Sequence, residues 1–220
     1  MIINQKKTHI MKFNFRTSLD FTAVVKFGDS EPLEIVKETK ILGIMVSDNL
    51  RWDSHVNYML KKAYKKIWLL RRLKLLKLDS DILLDFYCKE VRSVLEFGAP
   101  VWHSGLTNKM SNQIERIQKI CIQLILDDCQ FRIPYLVGCT LLSIEPLEIR
   151  RLELCKSFIQ RASLDPQHSD MFVRNTSTIH TRNNKPLYRE YNYRNTRFYK
   201  SPLCFLTRLL NKNPVSYKPN

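Results

Sequence analysis

Asp127 and Asp128 close an apolar stretch at Ile125-Leu126, and adjacent carboxylates are what two-metal phosphoryl transfer requires. That chemistry needs the carboxylates fixed on rigid elements, so that two ions sit about 4 Å apart. Here the pair falls at the end of a predicted helix, where acid is mildly unfavourable against the macrodipole, and no second acidic strand accompanies it. The pair therefore reads as a solvated turn. His55, His103, His168 and His180 lack a neighbouring Cys, Asp or Ser arrangement of triad type and show no metal-ligand spacing. Ser104 sits among small residues in Gly98-Ala99-Pro100-Val101-Trp102-His103-Ser104-Gly105, but without the G-x-S-x-G pattern of a nucleophile elbow. This stretch reads as a helix break with a buried Trp102. The six cysteines, Cys88, Cys121, Cys129, Cys139, Cys155 and Cys204, form no C-x-x-C pair, which points to buried free thiols. The sequence thus predicts no catalytic residue, no metal site and no cofactor.

Cations are the stronger signal. Lys61, Lys62, Lys65, Lys66, Arg71, Arg72 and Lys74 crowd one short segment, and no acid falls between Asp53 and Asp79. Residues 1–78 carry 16 basic and 7 acidic groups, 79–170 carry 10 and 13, and 171–220 carry 10 and 1, within a formal net charge of +15. A basic front and a basic end around a near-neutral middle form the electrostatic footprint of a phosphate-backbone binder.

The elements that would position these residues follow from periodicity. Thr8 to Phe15 alternates with a period of two and predicts a half-buried strand. Val24 to Phe27, Gly28-Asp29 and Leu33 to Val36 predict two short strands round a turn, and Ile41 to Val46 a further apolar strand. From Asp53 the period changes. Val56, Leu60, Ala63, Ile67 and Leu70 recur at steps of four and three, the stripe of an amphipathic helix with its cations mostly off it. Running to Lys77, it would be roughly 36 Å long at about 1.5 Å per residue. Like charges four apart on it repel, and acid from outside the helix is the natural remedy. Further helices are predicted from Asp79 or Ser80 to Phe97, from Thr107 or Asn108 to Leu126, and from Glu145-Pro146 to Ala162. In the second of these, Met110, Ile114, Ile117, Cys121 and Leu124 form the stripe, while Glu115 and Lys119 form an i, i+4 pair off it. Residues 163–195 are predicted extended or disordered, with order returning over Phe198 to Leu210. The whole is an α+β chain: short N-terminal antiparallel strands (1–52), a mainly helical bundle (53–162) and a basic, largely extended tail (163–220).

With 44% hydrophobic and 26% charged residues, the chain can bury a core and is neither disordered nor collagen-like. No run of about 18 apolar residues predicts a membrane span, and Met1 opens no signal-peptide pattern. An intracellular protein of nucleus or cytoplasm is expected.

Several segments, in this order, resemble the C-terminal end of the reverse transcriptase of LINE-type non-LTR retrotransposons. They are Asn4-Gln5-Lys6-Lys7-Thr8, Lys40-Ile41-Leu42-Gly43-Ile44, Leu50-Arg51-Trp52-Asp53-Ser54-His55-Val56, Lys61-Lys62-Ala63 with Leu69-Leu70-Arg71-Arg72-Leu73-Lys74, and Phe86-Tyr87-Cys88. Val94 through Leu106, Ile114-Glu115-Arg116-Ile117-Gln118-Lys119, and the end segment Arg197 to Pro202 with Leu209-Leu210-Asn211 continue the likeness. The resemblance implies the last piece of a polymerase palm followed by a helical thumb. It assigns Leu42 and Gly43 to a primer-grip-like turn and Lys7 to the incoming nucleotide's phosphates. Lys61, Lys62, Lys65, Lys66, Arg71, Arg72 and Lys74 would touch the phosphates of an RNA or DNA template-primer duplex, contacts that carry no base code. The family's aromatic-x-Asp-Asp strands would lie upstream of Met1 in a missing polymerase portion, so Mg²⁺ and catalysis belong to the intact polymerase alone.

Two other readings compete. The bundle and its basic helix could be an interaction module for an acidic partner or membrane surface. The basic segment also resembles a short domain family named after the N-terminus of an AlkB-like tRNA-modifying oxygenase and methyltransferase homologue. Oxygenase chemistry would need an H-x-D…H triad, and methyl transfer a Gly-rich loop after a strand; neither is evident in the sequence.

Overall fold

A computed structural model describes residues 8–13, 24–26, 32–126, 133–175, 186–193 and 195–212. Lys7, Gly28-Asp29, Asp127-Asp128, Cys129 and His180 lie outside these residues. The chain is mainly helical with one two-stranded antiparallel sheet, an α+β protein. It divides into two compact units, Met1–Met59 and Leu60–Asn220.

In the first unit, β1 (Glu38–Ile41) pairs with β2 (Ile44–Ser47) from Glu38↔Ser47 to Ile41↔Ile44. Ile41 to Val46 is therefore two strands round a turn and not the single strand its apolar run predicts. The turn is Leu42-Gly43, with φ of 47° and 92°. A two-residue hairpin of this hand needs positive φ at both positions, which Gly43 meets freely and Leu42 meets at a cost. Of the strand expected over Thr8 to Phe15, the described part keeps one parallel bridge, in which Ile10 N donates to Glu34 O at 2.9 Å and Val36 N to Ile10 O at 2.8 Å. Leu33 N donates to Val25 O at 3.0 Å, linking the two segments read as a hairpin. The hairpin and α1 (Asp53–Leu75) are tied together by the Ser54 hydroxyl donating to Glu38 and by Met45 N donating to His55 Nδ1 at 3.3 Å.

The second unit takes α1 from Leu60 onward. Leu60, Ala63, Ile67 and Leu70 are buried as the periodicity predicts. A continuous helical run follows: α2 (Ser80–Phe86), a π-helical segment (Tyr87–Arg92) and α3 (Ser93–Glu96). Leu83, Tyr87, Val91 and Leu95 are all wholly buried, although steps of four drift by about 40° each in an α-helix. The wider π turn absorbs that drift and keeps the four on one face. Gly98, at φ 64°, then breaks the run before α4 (Ala99–Trp102), and Trp102 is buried with its indole N–H donating to Phe97 O at 2.9 Å. The predicted break with a buried tryptophan is observed.

Next come α5 (Asn108–Leu126), α6 (Tyr135–Leu141) and α7 (Leu147–Leu164). The stripe on α5 holds through Cys121 but then passes to Ile122 and Ile125, leaving Leu124 half-buried. α6 has no counterpart in the sequence reading; it is too short to show a period. Beyond α7 the chain makes an antiparallel bridge between Arg174 and Tyr188, then α8 (Thr196–Tyr199) and α9 (Pro202–Lys212). Far from hanging off as a basic tail, this part shares a core with α7. Cys155, Ile159, Phe172, Tyr188, Leu206 and Leu210 form one buried cluster. The excess of Arg, Asn and Tyr around it masked the apolar face of α9. No described helix is long and apolar enough to cross a membrane.

Candidate functional site

On the solvent side of α1, within the second unit, Lys61, Lys65, Trp68 and Arg72 recur at steps of four, three and four. On an α-helix such residues fall within about 60° of one another, opposite the buried stripe. All four are exposed. Tyr64 and Arg71 flank them, also exposed. Trp68 is 60% exposed and Tyr64 47%, so two aromatic rings stand in solvent among the cations of this face. The Arg72 guanidinium stands over the Trp68 ring, 5.2 Å from its centroid. Leu75 and Leu76, 72% and 70% exposed, lie at the helix end.

The seven cations singled out from the sequence do not share one role. Lys61, Lys62, Lys65, Arg71 and Arg72 are exposed. Lys66 is ion-paired with Glu90 from the π-helical segment, the acid from outside that the helix lacks. Lys74 continues the buried rhythm Ile67, Leu70, Lys74, is only partly exposed, and places Nζ 3.4 Å from Ile125 O on α5. Spacing alone marks both as inward-leaning. Leu42 and Gly43 lie in the first unit at the hairpin tip, where Leu42 is 91% exposed. Lys7 lies outside the described residues. Missed in the sequence were Tyr64 and Trp68, though the spacing 61, 65, 68, 72 was there to be read.

No protein-family model, curated protein or solved structure matches the chain.

Burial pushes the thiols of Cys121 and Cys155 up to about 12, so neither is a thiolate near neutral pH. The Tyr87 hydroxyl donates to buried Gln118, whose amide donates to Glu145 O at 2.9 Å. Glu115, read from sequence as a surface partner of Lys119, instead accepts from Leu147 N at 3.2 Å and from the Tyr135 hydroxyl. It satisfies an orphan N–H at the start of α7. A cleft of about 270 Å³ at the start of α5 is lined by His103, Ser104, Ser111, Glu148, Lys200 and Arg208 among others. Burial, and next the Arg151 charge, lower the His103 pKa to about 4, so its imidazole is neutral there. Among the described residues no three His, Cys, Asp or Glu side chains come together in a way that could hold a metal ion.

Proposed function

We propose that this chain binds nucleic acid as the palm end and thumb of a LINE-type non-LTR retrotransposon reverse transcriptase, without catalysis of its own. In this reading the β1–β2 hairpin is the primer-grip-like end of the palm, and α1 with the helices after it is the thumb. The single observation that carries it is the outer face of α1, where Lys61, Lys65 and Arg72 are exposed along one line. The helix carries no acid after Asp53. A row of cations on a rigid rod can track successive phosphates and read no base. The test is fluorescence anisotropy of labelled RNA·DNA and DNA duplexes across a salt series, beside primer extension with dNTPs and Mg²⁺. Sequence-tolerant binding that weakens steeply with salt, and no extension, is the expected result. Extension by the pure chain, or no binding in dilute buffer, would overturn it.

Leu75 and Leu76 at the end of the same helix favour a second reading, an interaction module for an anionic membrane surface or acidic partner. Binding to phosphatidylserine vesicles with none to duplex would select that reading.

A further inference from the structure

We propose that the strand crossing α1 is unpaired there, its bases stacking on Trp68 and Tyr64, so that the preferred ligand presents single-stranded nucleotides. This rests on the nucleic-acid reading above and specifies the form of its ligand.

A helix that only held duplex phosphates would gain nothing from large aromatic rings in solvent between its cations. Here Tyr64 and Trp68 stand one turn apart, both exposed, with Lys61 and Lys65 before Trp68 and Arg72 after it. About 6 Å of rise separates the two aromatic positions at about 1.5 Å per residue. The guanidinium of Arg72 lies over the indole, which steadies the ring while most of it remains open to solvent. Phosphate-tracking cations interleaved with stacking platforms are how proteins hold single strands without sequence preference, since every base has a π-face. In a paired duplex those faces are already stacked on one another and unavailable to a side chain. Duplex therefore uses the lysines alone, whereas a single strand or an overhang uses lysines and aromatics together.

The measurement compares the full chain with its Trp68→Ala, Trp68→Phe and Lys61→Ala/Lys65→Ala variants. Trp68 is exposed, so the fold should survive, and circular dichroism checks this. Each protein is titrated with a labelled single-stranded 20-mer and a blunt duplex of the same length. Trp68→Ala should weaken single-strand binding about 5- to 150-fold, leave blunt-duplex binding within about 2-fold, and abolish most of the tryptophan quenching that single strand produces. Trp68→Phe should restore most of the affinity. Duplex binding by the wild type with Trp68→Ala unchanged on single strand overturns this proposal and leaves the nucleic-acid reading standing, as does equal weakening on both ligands. Absence of binding to either oligonucleotide in dilute buffer removes both.

Discussion

Arg151, wholly buried on α7, holds its Nη1 3.6 Å from Glu115 Oε1 on α5. The same guanidinium donates through Nη2 to the Ser111 hydroxyl at 3.0 Å, so α5 supplies both its ion-pair partner and a hydrogen bond, while Glu148 and Glu96 add weaker favourable charge. Stripping one partner from a buried pair leaves the other charge uncompensated, whereas replacing the cation with an apolar side chain of similar length removes the burden. Glu115→Ala should cost about 3–5 kcal/mol, read from the urea midpoint, and Arg151→Met markedly less. The reverse ranking would mean that Arg151 does not depend on Glu115.

Protonation of His103 opposes folding. Its folded pKa, lowered to about 4 by burial and then by Arg151, lies below the unfolded value near 6.5. Between those two values the unfolded chain binds more protons, so stability is full above about pH 6.5 and falls as pH drops toward 4. His55, lowered to about 4 by burial alone, acts with the same sign in the first unit. His103→Gln, which keeps a hydrogen-bonding side chain without the titration, should flatten the fall in unfolding midpoint between pH 7 and 4.5. A parent and variant with parallel pH profiles would contradict this.

At the hairpin tip, Leu42 occupies left-handed backbone at φ 47° with 91% of its surface exposed. A branched side chain there strains the backbone by about 1–2 kcal/mol and has little packing to lose. Leu42→Asn is expected to stabilise the hairpin by about 1 kcal/mol, seen as slower amide exchange at Ile44 and Val46, whose N–H groups face β1. Faster exchange would show that the Leu42 side chain stabilises the turn by more than its backbone strain costs.

Salt dependence separates the two classes of lysine on α1. Removing Lys61 and Lys65 together should reduce the slope of log K against log salt for duplex by about 1.8, near 0.9 per phosphate contact. Lys66→Ala should leave that slope close to the parent, because its ammonium is already committed to Glu90. Equal loss of slope in both variants would mean that Glu90 releases Lys66 to the ligand.

How much of this was legible beforehand depended on the length scale of the signal. α1 was readable because five apolar positions repeat over fifteen residues, and its start at Asp53 matches the change of period. α5 and α7 were equally plain. From periodicity the β1–β2 turn was not, because Leu42 is not a turn-forming residue and its conformation is imposed by the pairing of Ile41 with Ile44; a turn at Leu42-Gly43 was expected only from the family resemblance. α6 and the packing of α9 on α7 were also hidden, since seven residues show no period and a polar neighbourhood outweighs three buried leucines and one buried cysteine in any average. At the surface, charge was easy to count, but which cations face outward required the angle of each around the helix. Lys66 and Lys74 fall at the edge of the buried stripe, and their partners, Glu90 and the Ile125 carbonyl, lie on other helices. Tyr64 and Trp68 were overlooked because aromatic side chains at helical spacing usually belong to a core.

The π-helical stretch from Tyr87 to Arg92 carries one residue more per turn than its flanks need. Deleting a single codon inside it should let the segment rewind as ordinary helix with Leu95 swung only modestly. The same deletion elsewhere in the run would rotate every downstream side chain by about 100°. The gene can therefore lose a residue at this one place with less damage than anywhere nearby, and lineages differing in length there would be expected to keep the surrounding register intact.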